Sequence, residues 1–303
     1  MNNDQIIVSP SPHIKDDTSV KEIMWSVILA LVPAMLAAVY FFKFRAVLLI
    51  LAGITGSVVT EYLFQTIRGK EISIDDGSAV LTGILLALVV PPSLPYWAVI
   101  LGSAVAIGLG KQVFGGLGYN PFNPALIGRA FLMAAYPVFM TTWTLDGSTT
   151  ATPLNMMKMD GVATNYWDLF IGNIGGSLGE TSAFALLIGA AYLIYKGYLN
   201  WRIPTAILST VFILMFVFGQ DPIFHLFAGG LIIGAFYMAT DMVTSPVTKK
   251  GRWIFGTGIG ILVVIIRLWG GYPEGVMYAI LLMNTAVPLI DRYTRPRSLG
   301  EVS

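Results

Sequence analysis

The sequence predicts an all-α integral membrane protein of about ten transmembrane helices, arranged as two inverted five-helix repeats with broken helices. Three observations carry this prediction. Of the 303 residues, 55% are hydrophobic and only 12% charged, whereas a soluble domain carries roughly 25% charged residues. Apolar runs longer than about 18 residues recur, enough to cross about 30 Å of hydrocarbon as helix, and they do not alternate as barrel strands would. Prolines interrupt two of the runs where a simple span would continue.

Residues 1–20 are polar and include Asp4, Asp16 and Asp17. They lack the basic start and small-residue cleavage site of a secretory signal, so the first apolar run is expected to remain as a helix. A first half, 21–137, is expected to hold helices over 21–42, 46–66, 77–91, 96–114 and 122–137. A connection, 138–180, leads to a second half, 181–291, with helices over 181–196, 203–219, 223–243, 253–270 and 274–291, and then to a tail, 292–303. The third helix stops at Pro91-Pro92, and the fifth starts after Asn120-Pro121-Phe122-Asn123-Pro124. Proline cannot donate to the helical ladder and forces the preceding residue extended. Both are therefore expected to be breaks at membrane depth, which are tolerated only where protein or a cavity surrounds them.

Lysine and arginine set the expected orientation. With the N-terminus inside, the inner segments hold Lys15, Lys21, Arg68, Lys70, Lys111, Arg129, Lys196, Arg202, Lys249, Lys250, Arg252, Arg292, Arg295 and Arg297, and the outer ones only Lys43, Arg45, Lys158 and Arg267. The positive-inside rule then places both termini in the cytoplasm of a prokaryotic cell and the 138–180 loop outside the inner membrane. The repeat rests on paired landmarks. Phe114-Gly115-Gly116 and Trp269-Gly270-Gly271 close the fourth and ninth helices, Pro92 and Pro246 precede them, and helices containing Gly83 and Gly234 precede those prolines. An odd number of helices per half gives the halves opposite topology, with sites between broken helices near the midplane.

Composition also excludes classes of function. A net charge of +1 gives no electrostatic case for nucleic acid. With no cysteine, the chain has no disulfide, thiolate nucleophile or Cys-ligated iron–sulfur centre of its own. His13 and His225 have no second ligand at metal-binding spacing, so no metal site is expected.

The long polar connection contains Asp146-Gly147-Ser148-Thr149-Thr150-Ala151-Thr152-Pro153-Leu154 and keeps Trp143, Met156, Met157, Met159, Tyr166 and Trp167. Disordered segments lack such residues. By composition this loop folds against neighbouring helices or a partner subunit, and its Ser/Thr cluster reads as a solvated turn.

A family resemblance adds to that reading. Ser9-Pro10-Ser11-Pro12-His13-Ile14, Asp75-Asp76-Gly77-Ser78, Phe114-Gly115-Gly116, Asn120 to Ala125 and Ala239-Thr240-Asp241-Met242-Val243-Thr244 resemble the D subunit of the Rnf ion-translocating electron-transport complex. That protein is related to the B subunit of the sodium-translocating NADH:quinone reductase, and the likeness covers nearly the whole chain. In this family the loop motif carries covalent FMN, joined by a phosphoester to its last threonine. The resemblance thus implies Thr152 as acceptor, within a motif formed by Asp146, Gly147, Thr149 and Ala151. Thr150 stands where the family has glycine, which leaves three threonines in one window; Ala151 and Pro153-Leu154 keep the register on Thr152. A threonine hydroxyl is a poor nucleophile without an activating group, so a separate flavin transferase using FAD is implied.

Other candidates follow. Asn120 and Asn123 either cap the fifth helix or, as the resemblance implies, hold non-covalent riboflavin. Glu61 and Asp241 are intramembrane acids, which are functional candidates by default; Glu61 could instead snorkel toward Arg68 and the inner surface, and Asp241 is expected to be structural or cofactor-lining. His225 reads as a cap or interface residue. Arg267 reads as a flavin-phosphate partner or, more usually, a snorkelling residue.

The resemblance implies an electron-transfer subunit of an ion-translocating ferredoxin:NAD oxidoreductase, taking electrons through FMN on Thr152 and passing them to riboflavin near Asn120 and Asn123. Partner subunits would supply iron–sulfur centres, further FMN and the nucleotide chemistry. Two alternatives stay open: a subunit of sodium-translocating NADH:quinone reductase, and a channel or secondary transporter with inverted repeats.

Overall fold

The computed structural model describes residues 18–145, 148–272 and 274–296. Residues 9–14 with His13, and Asp146 and Gly147 of the loop motif, lie outside them.

Helix α1 (Val20–Ile67) opens at Ser19, whose side chain accepts a hydrogen bond from Glu22 N at 3.1 Å and so satisfies one orphan donor of the first turn. It is two arms rather than one rod. Lys43 has φ 55° and ψ −145°, and the chain reverses there, between the first two expected helices. The outward side of α1 exposes Leu29, Leu36, Leu51, Val59 and Leu63, as expected of a helix meant to meet lipid. By length and composition α1 and α12 (Lys249–Trp269) can cross a membrane.

The rest of the first half comprises α2 (Ser78–Leu88), α3 (Tyr96–Ile107), which runs on as a π turn over Gly108–Gln112, and α4 (Pro124–Ala135). The connection folds as α5 (Pro137–Thr141), an antiparallel pair of short strands β1 (Trp143–Leu145) and β2 (Ser148–Thr150), α6 (Pro153–Asp160) and α7 (Tyr166–Ile171). Then come α8 (Ala183–Tyr195), α9 (Arg202–Val217), α10 (Pro222–Phe227), α11 (Leu231–Ile233) with a π turn over Gly234–Met238, α12 and α13 (Val276–Thr294). The helical reading of the sequence holds outside 138–180, where a loop was expected and three short helices and a strand pair stand instead, and it needs two further corrections. The third helix stops at Leu88, before the Pro91-Pro92 pair, because its last turn tightens through Val89 N to Leu86 O. The expected continuous helix 223–243 is broken: Ala228 is extended and Gly229 has φ +69°, which splits α10 from α11.

Helices α1 and α8, far apart in the chain, pack against each other. Gly189 of α8 lies so close to the Ala30 carbonyl that an added Cβ would overlap it. The Tyr237 hydroxyl, buried beside them, lies 2.8 Å from Leu186 O and 3.3 Å from Ala30 O and joins three helices. Small residues of this kind let backbones approach where lipid supplies no hydrophobic drive between helices. Overpacking such a contact costs about 1–3 kcal/mol. Gly189→Leu is therefore expected to lower the thermal unfolding temperature in detergent by several degrees, whereas Gly271→Leu, at a position with open space around it, should leave it unchanged.

Candidate functional site

Two sites emerge, one at each end of the bundle. At the end where α1 begins, a cavity enclosing about 780 Å³ of empty space is walled by Ile23, Leu81 and Phe236 and lined by the polar groups of Lys111, Asn120, Asn123 and Asp241. Three of the sequence candidates therefore converge, although the chain separates Asn123 from Asp241 widely.

Asn123 caps α4: its side chain accepts from Leu126 N at 3.3 Å, with Pro124 at the first helical position. It also ties elements together, donating through Nδ2 to Met238 O at 3.3 Å and through its backbone N to Asn284 Oδ1 at 3.4 Å. Asn284 in turn donates to Thr244 O at 2.9 Å. Asn120 donates to Phe122 O at 3.1 Å, but its Oδ1 is buried without a hydrogen-bond partner among the described residues. Buried polar atoms are nearly always satisfied, so this oxygen suits a ligand donor. Asp241 lies in the turn after the broken helix rather than within a helix, accepting from Val243 N and Thr244 Oγ1, both at 3.2 Å.

Glu61 does not snorkel. It is 1% exposed, and Lys111 Nζ approaches its two oxygens at 2.7 and 2.8 Å. Lys111, expected as an inner-surface charge, is itself buried in the π turn and donates its remaining proton to Ser78 Oγ at 2.6 Å. Gln112 and Gln65 complete the Glu61 shell at 3.1 and 3.2 Å. Burying an ion costs several kcal/mol even after relaxation, and only full pairing of this kind offsets it. Arg68 instead donates to Gln112 O at 2.5 Å.

At the opposite end, the strand pair delivers the chain to Thr152. Thr152 caps α6, its Oγ1 accepting from Asn155 N at 3.3 Å, and it is 5% exposed. Two cavities share it. One, with about 600 Å³ of empty space, is lined by Trp143, Met133, Met277, Arg129 and the Tyr272–Tyr278 pair, whose rings stack with centroids 5.7 Å apart. The other, of about 250 Å³, is lined by Gly175, Gly176, Gly229, Glu180 and Glu274. Of the neighbouring candidates, Thr149 pairs with Thr144 across the strands, Thr150 Oγ1 is buried beside Gly175, and Ala151 is exposed. No side-chain base hydrogen-bonds Thr152 among the described residues, so the fold does not activate this hydroxyl itself.

Behind Thr152 lies a buried charge cluster that sequence reasoning missed. Arg129, expected among the inner-surface charges, points the other way: it donates to Glu274 and stands 3.3 Å from Glu180. Arg267 neither snorkels nor lies free for a phosphate. It donates to the carbonyls of His225 at 2.5 Å, Ala228 at 2.9 Å and Glu274 at 3.3 Å, two of them beside the α10–α11 break. His225 is not a cap: Asp221 caps α10, accepting from Ile223 N and Phe224 N, while His225 is buried with both ring nitrogens unpartnered among the described residues. The available signal was intramembrane charge: Lys111 and Arg129 both fall inside expected helices, where such residues are costly.

The sequence profile of the NQR2, RnfD, RnfE family matches residues 7–300. The D subunit of a proton-translocating ferredoxin:NAD(+) oxidoreductase complex from Clostridium ljungdahlii is 50% identical over 316 residues, covering 97% of this chain and 96% of the relative. The D subunit of a Na(+)-translocating ferredoxin:NAD(+) oxidoreductase complex from Acetobacterium woodii is 49% identical over 308 residues, covering 99% and 97%. The D subunit of an ion-translocating oxidoreductase complex from Methanosarcina acetivorans is 39% identical, covering 98% of each chain. A profile match over nearly the whole chain and relatives at 50% and 49% identity show that the chain belongs to the NQR2, RnfD, RnfE family.

Proposed function

We propose that this chain is the membrane-embedded D subunit of an ion-translocating ferredoxin:NAD oxidoreductase complex, with FMN esterified to Thr152 and riboflavin held at Asn120 and Asn123. The observation that carries the reading is the position of Thr152: the motif threonine caps a helix at the junction of two cavities. A phosphoester there lies at the N-terminus of α6, where free N–H groups and the helix dipole favour negative charge. The aromatic and methionine walls of the larger cavity suit a flat heteroaromatic ring. When bound, flavins supply electron-transfer chemistry, and the protein supplies position and electrostatics. Asn120 and Asn123 offer amide groups to a second flavin, and Lys111 and Asp241 border the same space.

In this reading iron–sulfur centres belong to partner subunits, since the chain has no cysteine, and a flavin transferase performs the attachment, which agrees with a Thr152 hydroxyl that no described side-chain base contacts. Charge supports the expected orientation. With buried Lys111, Arg129 and Arg267 removed, Lys43, Arg45 and Lys158 remain on the 138–180 side, against Lys21, Arg68, Lys70, Lys196, Arg202, Lys249, Lys250, Arg252, Arg292 and Arg295 on the other among the described residues. The inverted repeat has support in packing: Gly56 admits α3 to the second arm of α1 as Gly256 and Gly260 admit α9 to α12, each pairing the second and fourth spans of a half. The coupling ion is not set by overall similarity, since the relatives at 50% and 49% identity are named for the proton and for sodium respectively.

Two outcomes are expected. Protein co-produced with its flavin transferase should fluoresce as a flavin band on a denaturing gel. Thr152→Val should reduce that band to background, while Thr149→Val and Thr150→Val retain it; a bright Thr152→Val band refutes the assignment. Losing a hydrogen bond to a buried polar group costs about 1–3 kcal/mol, so Asn120→Leu should weaken retention of the acid-extractable flavin by about tenfold or more, measured by chromatography of the extract, without dimming the covalent band.

A further inference from the structure

We propose that Glu180 is a redox-linked protonation site: an electron arriving at the Thr152 site and a proton on the Glu180 carboxyl each favour the other. This rests on the reading of Thr152 as a flavin carrier.

The geometry is a buried carboxyl with an unmet need. Glu180 is 4% exposed, lines the small cavity together with Thr152, and its Oε1 has no hydrogen-bond partner among the described residues. Arg129 of α4 stands 3.3 Å away, Glu274 ahead of α13 shares the cavity, Arg267 of α12 lies close enough to act on it, and Ser177 stands beside it in its own connection. From the α10–α11 break, Gly229 lines the same cavity, and a Cβ on Gly230 would fall 2.5 Å from Glu180 Oε1. Glu274 is held by a charge-assisted hydrogen bond to Arg129, whereas Glu180 Oε1 has only the longer 3.3 Å ion pair to the same guanidinium, which makes Glu180 the less firmly held carboxyl of the two. With all four groups ionised, two arginines and two glutamates sum to zero, and an added electron brings uncompensated charge into a low-dielectric pocket.

Burial, with the like charge of Glu274 adding and Arg129 opposing, raises the Glu180 carboxyl to about 8. Below that pH Glu180 is neutral before and after electron arrival. Above it, the electron, from a one-electron donor such as a partner iron–sulfur centre, is accompanied by one proton from water that bonds to Glu180. Reoxidation returns both, and no bond of the chain breaks. Glutamine imitates the neutral acid.

The test is a redox titration of the bound flavin across pH in the full chain, matured by its transferase, with dithionite as reductant. Near neutrality, wild type and Glu180→Gln should share one midpoint potential. Above a pH of about 8 the wild type should fall progressively below the variant. Infrared difference spectra at alkaline pH should show a protonated-carboxyl band on reduction, sensitive to D2O, lost in Glu180→Gln and kept in Glu274→Gln. Coincident titrations at alkaline pH, or a carboxyl band that survives in Glu180→Gln, overturn the proposal. If Glu180→Gln does not fold, the wild-type spectrum decides: no carboxyl band on reduction overturns it, and a band that shifts in Gly230→Ala supports it. A gel without flavin fluorescence marks instead the failure of the Thr152 reading, and the proposal falls with it.

Discussion

In apolar surroundings every carbonyl freed where a helix stops must find a donor, and this constraint organises the molecule. At the end of α2, Gly179 N donates to Leu88 O at 2.7 Å and Leu178 N to Val90 O at 3.2 Å. Arg45 covers the next carbonyls, those of Pro92 and Ser93. At the second break, Arg267 takes the carbonyls of His225 and Ala228. Each repair draws a distant segment inward. Gly179 cannot meet Leu88 without bringing Glu180 into the core, and Arg267 cannot reach the break without adding its charge to the same region. The charge cluster behind Thr152 is thus assembled by the demands of the backbone.

The two buried charge groups differ in kind. Around Glu61 the balance is closed, because all three Lys111 protons have acceptors and two glutamine amides add donors. Such a pair holds the second arm of α1, α2 and the π turn in one arrangement. Around Arg129 the balance is more open: Arg129 Nε and Glu180 Oε1 lack hydrogen-bond partners among the described residues, and Glu180 Oε1 has only the 3.3 Å ion pair to Arg129. Incompletely satisfied polar groups are expensive in a low-dielectric interior, and they stand beside the threonine that the family motif singles out. Closure suits a structural role and openness suits a functional one.

The sequence revealed what depends on local rules. The proline pairs predicted the short α2 and α4, the cap alternative for Asn123 is realised, and the helices outside 138–180 followed from apolar run length, whereas α5, α6, α7 and the strand pair did not. The convergence of Asn120, Asn123 and Asp241 on one cavity agrees with treating each as a candidate, although nothing local states that they meet. What stayed hidden depends on pairing across the fold. Lys111 and Arg129 resemble boundary charges until their partners, Glu61 and Glu180, are seen, and these are separated by about fifty residues in each case. The Ala228-Gly229-Gly230 break was hidden because glycine inside an apolar run is compatible with a continuous membrane helix, and only the fit of Glu180 against Gly230 shows why an interruption is useful there.

Tyr237 occupies two structures at once. Its hydroxyl fastens α1 to α8, and its ring borders the asparagine-lined cavity. Any molecule that fills this cavity touches the bolt between the halves, so occupancy and the integrity of the seam are thermodynamically linked. By mass action, a ligand that binds only the joined arrangement stabilises it by an amount that grows with the logarithm of one plus its concentration over Kd, and by reciprocity a loosened seam weakens the ligand to the same degree. A ligand of this cavity would therefore report on the contact between α1 and α8, because one side chain serves both.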